Sequence, residues 1–457
     1  MEEARKNKLL QNKYLLLLTI PIFVELLLQI IVGYSDQIMM SNYENAVNGI
    51  ANANTVINVI LNVFIVLSSV SIILITQYRG AKDRKREEQV YYSSFWFNLI
   101  SSLVITLMVV GLSRFYLVWI KTPETSLNDA ILYSMIAGGS IVFQIMATTL
   151  SSFLKANNYM KESMITNVIM NALNIVGNII LINVFASIDM PIIGVALSSS
   201  ISRIVGFIIL LIIYIKKVGV SLSFNKFIHN TRMIKMILKV GAPSGGESLS
   251  YQTSQIIIQM VVNQIVIYNM NNVGIGNIKT YASMFAMVTY LFTSAVSQAM
   301  QVIVGELLGA GETKAVDTVV KKTRNISIIV STSIALIFFL LSDYMFMIFH
   351  VTDPDLLKMA KGVMAIEIAL EFGRAFNIVY VRALQTSGDV VFPTVSAIIF
   401  CWSVAVLGSF IFGSPYILNM GLLGVWMAMA LDECIRAVIF VVRWHNGRWK
   451  TYNLSKI

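Results

Sequence analysis

The chain has 457 residues, of which 56 % are hydrophobic and only 13 % are charged, and its mean hydropathy is +0.74. Soluble domains carry about 25 % charged residues, so this composition excludes a soluble domain of ordinary type. The net charge of +10 would suit a nucleic-acid binder by its size alone, but the placement of the basic residues along the chain argues against that partner.

Apolar stretches long enough to cross a bilayer follow one another along the whole chain. We predict an all-α polytopic membrane protein, because the alternation typical of a membrane β-barrel is absent and lipid-exposed backbone must satisfy its own hydrogen bonds. The twelve predicted spans cover residues 14–40, 52–78, 90–113, 130–154, 161–186, 192–215, 234–268, 278–306, 322–348, 358–384, 391–413 and 416–443. The connections are short, so we expect no sizeable soluble domain.

Lysine and arginine concentrate in the tails and in alternate loops. About 26 of the 34 lie in the tails and these alternate loops, which include the regions before the first span and after the second, sixth, eighth and last spans, and the opposite loops hold only about five. This is the positive-inside pattern, and it predicts a multi-pass protein of the plasma (cytoplasmic) membrane with both termini in the cytoplasm. The basic patches are therefore topology signals, and we expect lipid and no nucleic acid as a partner.

The second half of the chain repeats features of the first half in the same order, at an offset of 222 to 230 residues. The matching pairs are Pro21 to Glu25 with Pro243 to Glu247, Gly80 to Asp83 with Gly309 to Glu312, Leu154 with Leu384, and Gly194-Val195 with Gly424-Val425. We predict two six-helix lobes, residues 1–225 and 226–457, related by a parallel pseudo-two-fold repeat. Duplicated helical bundles of this kind are typical of secondary transporters.

Charged residues within apolar spans are candidates for function, because a charge at mid-membrane costs about 2.5–3.5 kcal/mol on insertion scales. Glu25 and Glu247 each follow a helix-bending proline by one turn, which suits a cation or proton site. The alternative is that each acid only hydrogen-bonds a neighbouring helix. The candidates of this kind are Glu25, Asp36, Arg203, Glu247, Glu367, Glu371, Arg374, Asp432, Glu433 and Arg436.

The fifth span carries four asparagines, Asn167, Asn171, Asn174 and Asn178. Their spacing places all four amides on one helix face, which cannot point at lipid without cost. Amide oxygens can coordinate a hard cation, and the whole amide can hydrogen-bond an acid. We predict a lined cavity or site on this face; the alternative is interhelical hydrogen bonding, worth about 0.6 kcal/mol per bond.

Two ion pairs are predicted within single helices. Glu371 and Arg374 are spaced i, i+3 and can pair across one turn, and Arg436 can pair with Asp432 or Glu433 in the same way. No phosphate-binding loop, HExxH motif, Cys/His metal cluster or catalytic-triad signature is found in the sequence, so we expect no enzymatic activity and no cofactor. Uphill work would then depend on an ion gradient or the membrane potential.

The stretch from Pro21-Ile22 through Glu25, Gln29 and Val32-Gly33 to Asp36 resembles the first-helix signature of the multidrug and toxic compound extrusion (MATE) family. Gly80 to Asp83, Gly309 to Glu312 and Gly388-Asp389 resemble its cytoplasmic turns. The resemblance covers nearly the whole chain. It implies two six-helix lobes that form a V-shaped cleft, and export of organic cations in exchange for H⁺ or Na⁺.

The resemblance also implies an ion-coupling site in the amino-terminal lobe. The family's helix-one aspartate matches Asp36, and its two polar residues on helix five match Asn174 and Asn178. Some members have an aspartate at the second of these positions. A small hydroxyl on helix six falls at Ser199. Asp36, Asn174 and Asn178 are therefore the possible ligands of a Na⁺ ion.

For substrate binding or a second-lobe site, the resemblance implies a helix-seven glutamate, which matches Glu247. The family often has an acid on helix ten, where this chain has Arg374 with Glu371 one turn earlier. Together with Glu25, these are the candidate residues outside the Asp36 site.

We therefore predict a monomeric antiporter, coupled to H⁺ or Na⁺, that exports small organic cations by alternating access. One alternative is a flippase for a lipid-linked sugar or another amphiphile, which would need a strongly basic cavity. Another is a membrane receptor or scaffold that binds a ligand without transporting it.

Overall fold

The computed structural model describes residues 3–41, 43–188, 190–228, 230–269, 272–452 and 454, apart from the side chains of residues 31–34, 37 and 44. Helices dominate the first half of the described chain. They are α1 (Glu3–Leu9), α2 (Asn12–Met39), α3 (Glu44–Gly80), α4 (Arg84–Gly111), α5 (Ser113–Trp119), α6 (Glu124–Gly139), α7 (Ile141–Ala156), α8 (Met160–Ala186), α9 (Pro191–Lys217) and α10 (Phe224–Ile228).

The second half continues in the same way. Its helices are α11 (Thr231–Tyr268), α12 (Val273–Gly309), α13 (Thr313–Leu340), α14 (Ser342–Ile348), α15 (Pro354–Ser387), α16 (Val391–Phe400) and α17 (Gly421–His445). Helix α16 continues as π-helical turns over Cys401–Val406 and Ser409–Gly413, and a 3₁₀ turn at Arg448–Lys450 follows α17.

Each of the twelve predicted spans coincides with a long helix or a broken helix within the described residues. The fourth span is broken: α6 and α7 meet at Ser140 with a bend of 41°. It is also longer than predicted, because α7 runs to Ala156 and so includes Lys155, which the sequence analysis placed after the span. Helix α7 therefore carries a charged residue that the apolar pattern did not assign to it.

By length and apolar composition, eight of the described helices could cross a membrane, or nine if the bent pair α6 and α7 counts as one span. The long helices α11, α15 and α17 do not reach this apolar threshold. Helices α15 and α17 carry several buried charged residues, including Glu371 and Arg436. These buried charged residues lower the apolar content of α15 and α17.

By internal packing the chain divides into two units. The amino-terminal unit is Ile20–Gly245, and the carboxyl-terminal unit is Gly246–Ile457 together with Met1–Thr19. Aliphatic and aromatic residues of α3, α6 and α9 form a core in the first unit, and residues of α11, α12, α15 and α17 form one in the second. The predicted lobe boundary near residue 225 follows chain order and stays a prediction, whereas these units follow packing.

Contacts inside each unit explain why residues 1–19 belong to the carboxyl-terminal unit and residues 226–245 to the amino-terminal unit. In the carboxyl-terminal unit, Arg5 pairs with Glu306 at 2.5 Å and Lys6 pairs with Glu312 at 2.7 Å. In the amino-terminal unit, a side chain added at Gly241 would lie 2.8 Å from Leu67. The chain thus changes unit inside α2 and again inside α11, close to the two prolines Pro21 and Pro243.

Candidate functional site

Asp36 lies near the end of α2 and is buried, with 6 % of its surface exposed. Its Oδ1 accepts a hydrogen bond of 2.8 Å from the Asn178 amide. Its Oδ2 accepts one of 2.8 Å from the Ser199 hydroxyl and one of 3.1 Å from the Tyr133 hydroxyl. Three donors from three other helices therefore converge on one buried carboxylate, as expected where a charge must be kept in an apolar lobe.

A second set of bonds orients these donors. Asn174 donates 3.0 Å to Ser199 Oγ and accepts 3.3 Å from the Ser35 hydroxyl, while Ser198 donates 2.7 Å to the backbone oxygen of Asn174. The structure thus brings together all four predicted ion-coupling residues, Asp36, Asn174, Asn178 and Ser199.

One atom of this cluster has no partner. Asn178 Oδ1 is buried, and no donor among the described residues reaches it. A buried polar atom without a partner costs about 1–3 kcal/mol, so native structures hold few of them. The cluster therefore combines a carboxylate with a spare amide oxygen, which are the oxygen ligands that hard cations prefer.

Close packing of α8 against α9 places the two asparagines beside the serine. A side chain at Gly177 of α8 would lie 2.4 Å from Ser198 Oγ, and one at Gly194 of α9 would lie 2.5 Å from the backbone of Leu181. Glycine at both positions therefore lets the helix backbones approach each other. The spacing of Asn174 and Asn178 then puts both amides on the face that meets α9 and α2.

The other two asparagines of α8 share that face but not the site. Asn167 is 8 % exposed and donates 3.0 Å to the Ser163 backbone oxygen, and Asn171 is half-buried with an unpartnered amide nitrogen. The prediction that the stripe faces the interior is confirmed for Asn167, Asn174 and Asn178, which are buried. Only the last two contact the Asp36 cluster.

Sequence reasoning did not find Tyr133. It lies on α6, is 1 % exposed, and donates directly to Asp36. A buried tyrosine hydroxyl needs a hydrogen-bond partner, so a tyrosine within an apolar span was the available signal. A tyrosine carries no charge, so the cost of burying charge in a membrane does not single it out.

Glu25 is 3 % exposed in the amino-terminal unit, and its charge is compensated there. Lys155 donates 2.8 Å to its Oε1, and the Ser163 hydroxyl donates 3.1 Å to its Oε2. Lys155 is itself buried, with 8 % exposed. Glu25 is thus half of a buried ion pair between α2 and α7, and its role in ion or substrate binding stays a prediction.

Glu247 lies on α11 in the carboxyl-terminal unit and is half-buried. The Thr394 hydroxyl, on α16, donates a long hydrogen bond of 3.4 Å to its Oε2. Arg436, Arg382 and Glu433 are its charged neighbours. The structure does not bring Glu247 into direct contact with Glu371 or Arg374.

Glu371 and Arg374 form the predicted ion pair on α15, which is confirmed, and the pair is part of a larger network. Arg374 also lies 3.6 Å from Glu433 and 4.0 Å from Glu367. Trp426 donates 2.7 Å to Glu367 Oε2. Glu367 Oε1 and Glu371 Oε2 are buried without a hydrogen-bond partner among the described residues.

The predicted pairing of Arg436 on α17 is also confirmed. Its guanidinium donates 3.0 and 2.6 Å to the two oxygens of Asp432, in the two-bond geometry that arginine favours, and it lies 3.2 Å from Glu433. Asn377 donates 2.6 Å to the other oxygen of Glu433. The network over α15 and α17 therefore joins four acids to two arginines.

Comparison with known proteins decides the family. The profile of the MatE family matches residues 21–180 and 243–411. The chain belongs to the MATE family. The two matched segments begin at Pro21 and Pro243, the pair with which the internal repeat begins, so each half carries one copy of the family's repeat unit.

Two relatives match over nearly their whole length. "Uncharacterized transporter YisQ" of Bacillus subtilis (strain 168) is 29 % identical, and the alignment covers 94 % of each chain. "Probable multidrug resistance protein NorM" of Thermotoga maritima is 25 % identical, over 96 % of this chain and 93 % of that protein. Full-length coverage indicates the same architecture from end to end, and the chain is a multi-pass membrane transporter.

Solved MATE structures have the same fold. "Crystal structure of MATE in the bent conformation" matches with a TM-score of 0.86 at 17 % identity, over 98 % of both chains. A second structure, described as "Reverse polarity of binding pocket suggests different function of a MOP superfamily transporter from Pyrococcus furiosus Vc1 (DSM3638)", matches with a TM-score of 0.85 at 17 % identity over 97 % of this chain and 98 % of that one. The fold is thus the twelve-helix, two-lobe fold of MATE transporters.

Proposed function

We propose that this MATE transporter is an ion-coupled antiporter that exports small organic cations, and that Asp36 holds the coupling ion. The observation that carries the proposal is the Asp36 cluster: a carboxylate held by donors from α6, α8 and α9, next to a buried amide oxygen without a partner. Buried ionisable groups inside membrane helices are typical of ion and proton pathways.

Both candidate ions suit the side chains. A proton on Asp36 needs an acceptor, and Asn178 can supply its oxygen if the amide turns over. A Na⁺ ion needs several oxygens, and the Asp36 carboxylate, the amide oxygens of Asn174 and Asn178 and the Ser199 hydroxyl offer them. The chain resembles relatives that are named for multidrug resistance, and this supports drugs and other organic cations as its substrates.

The ion would act by changing the relative stability of the transporter's two conformations. An ion that binds one conformation more tightly shifts the population towards it, and the substrate shifts it back. We place both termini in the cytoplasm of the cell, on the strength of the basic loops, and expect a monomer. Moving one charge across 100 mV is worth about 2.3 kcal/mol. The number of ions exchanged for each substrate molecule therefore determines how much the membrane potential can drive transport.

The experiment uses the purified protein in proteoliposomes. Uptake of a panel of fluorescent organic cations is followed after a pH step and, separately, after a sodium step. Asp36→Asn is expected to abolish transport driven by the coupling ion while the unfolding temperature in detergent stays near that of the wild type. Undiminished ion-driven transport by Asp36→Asn would refute the proposal.

The flippase alternative finds less support. A pyrophosphate-linked substrate calls for unpaired cations in a cavity. Arg374 and Arg436, on α15 and α17, are paired with acids, and Arg203 donates to a backbone oxygen and a serine. The same vesicle assay with a fluorescent lipid-linked diphosphate tests this function directly.

A further inference from the structure

We propose that Arg203 is a positioning residue for the ion site: it holds the end of α6 at the break in the fourth span and so keeps the Tyr133 hydroxyl on Asp36. The proposal rests on the function proposed above. Arg203 lies on α9 within the amino-terminal unit, and neither the Asp36 cluster nor an ion pair accounts for it.

The first observation is the break itself. Helix α6 ends at Gly139, α7 begins at Ile141, and the two helices are bent by 41°. A helix end leaves its last carbonyl oxygens short of intrahelical donors, and inside a membrane other groups must supply them. Within the described part of the chain, the backbone serves the end of α6 only by a long bond of 3.3 Å from the Ser140 N–H to Ala137 O, so further donors must come from side chains.

Helix α9 provides that partner. Arg203 Nη1 donates 2.6 Å to Ala137 O and 3.1 Å to Ser140 Oγ, and the Ser140 hydroxyl donates 2.8 Å to the same Ala137 O. One turn earlier on α9, the Ser200 hydroxyl donates 3.1 Å to Ile136 O. Arginine and serine together thus cap the last turn of α6.

The charge of Arg203 is also informative. Among the described residues, no carboxylate lies within ion-pairing distance of it, so its guanidinium rests on the carbonyl end of α6. A helix carboxyl terminus carries a partial negative charge that favours a cation, but a charge inside a membrane still costs free energy. Both hydrogen bonds come from the one nitrogen Nη1, whose hydrogens reach Ala137 at the end of α6 and Ser140 at the break, so the guanidinium bridges the two.

Holding the end of α6 also positions Tyr133, which lies one helical turn away and donates to Asp36. Tyr133 precedes Ala137 by four residues on α6, so both lie on the same face. On α9, Ser199 directly precedes Ser200 and donates to Asp36. Helix α9 therefore fixes the Asp36 carboxylate by its own hydroxyl and fixes a second donor by holding the helix that carries it.

The test is a double-mutant cycle on the reconstituted protein. Arg203→Gln and Tyr133→Phe are each expected to raise the half-saturating concentration of the coupling ion about tenfold, within the range for residues of one hydrogen-bond network. The substrate KM at saturating ion should stay unchanged. The double variant should be no worse than either single variant, because both changes act on the same hydroxyl.

Matched variants separate positioning from stability. Arg203→Lys keeps the charge and one donor nitrogen, and its half-saturating ion concentration should fall between those of the wild type and Arg203→Gln. Arg324→Gln removes an arginine that also contacts a tyrosine hydroxyl, in the carboxyl-terminal unit, and should leave the ion dependence unchanged. If Arg203→Gln does not fold, Ser140→Ala removes the bridging hydroxyl without a change of charge and replaces it in the cycle.

The inference would be overturned if the two changes acted independently. In that case Arg203→Gln, or Ser140→Ala, would raise the half-saturating ion concentration by the same factor with and without the Tyr133 hydroxyl. Equal values for Arg203→Gln and the wild type would overturn it as well. If Asp36→Asn abolishes ion-driven transport and the cycle is nevertheless additive, only this inference fails. If Asp36→Asn has no effect, the proposed function fails with it.

Discussion

The side-chain amide of Asn178 donates a hydrogen bond of 2.8 Å to Asp36, while the oxygen of the same amide lies buried without a donor among the described residues. The nitrogen of this amide therefore has a hydrogen-bond partner, whereas its oxygen has none among the described residues. If the amide turns over, a proton or a metal cation on Asp36 would give that oxygen its first partner, so the orientation of the Asn178 amide depends on whether the site is filled.

Asn178→Asp is expected to tighten binding of the coupling ion. Two carboxylates buried side by side repel each other strongly unless a cation lies between them. We expect the half-saturating ion concentration to fall about tenfold, a value typical of directly interacting groups. Ion-dependent transport in proteoliposomes, titrated over the ion concentration, measures it.

Asn171→Asp is the matched control, because it adds the same charge to the same helix face outside the Asp36 cluster. Its half-saturating ion concentration should stay near that of the wild type. Weaker ion binding by Asn178→Asp than by Asn171→Asp would contradict the assignment of Asn178 as a partner of the ion.

Arg436→Met is expected to destabilise the protein by about 3–5 kcal/mol, because it leaves Asp432 buried without its cation and Glu433 with Arg374 alone, at 3.6 Å. Unfolding of the purified protein in detergent, by heat or denaturant, measures the loss. Lys321→Met removes the cation of an exposed i, i+4 pair with Asp317, in which the side chains are 47 % and 35 % exposed. That change should cost no more than about 1 kcal/mol, and equal losses for the two variants would contradict the argument.

Glu25→Gln is expected to destabilise the protein because it leaves the buried Lys155 ammonium without a carboxylate. The combined variant Glu25→Gln/Lys155→Met removes both charges and should recover most of the stability. If the pair is structural, ion-driven transport recovers together with the unfolding temperature. Recovered stability without recovered transport would instead indicate that Glu25 serves the ion or the substrate, as the sequence analysis predicted.

Gly194→Ala is expected to separate α8 from α9 and weaken the Asp36 cluster. The added methyl group would lie 2.5 Å from the Leu181 backbone, which cannot move aside as a side chain can. We expect a destabilisation of about 1–3 kcal/mol and a higher half-saturating ion concentration. Gly276→Ala, whose methyl group would meet its nearest neighbour at 3.7 Å, should do neither.

The sequence was sufficient for the spans, the duplicated halves and the face of α8 that carries Asn174 and Asn178. Each of these follows from periodicity or spacing within a single helix. The pairing of Glu371 with Arg374 was predictable for the same reason, since both residues lie on one turn.

Contacts between helices were harder to predict. The spacing in α8 does not say which tyrosine of another helix will reach Asp36, and the apolar pattern of the fourth span gave no sign of its break at Ser140. Lys155 was placed outside the membrane because lysine usually is, whereas its pairing with Glu25 makes burial tolerable. Rotation and tilt of helices are set by packing, which a single sequence does not specify.

The change of unit inside α2 and α11 has a consequence for dissecting the protein. A gene divided in the linker near residue 225 would encode two fragments, each without a segment that completes its own core. The amino-terminal fragment would lack residues 226–245 and the carboxyl-terminal fragment would lack residues 1–19. Co-expressed fragments could assemble only by trading these segments, as domain-swapped partners do. The two copies of an ancestral repeat have thus become mutually dependent, and neither is expected to be an autonomous folding module.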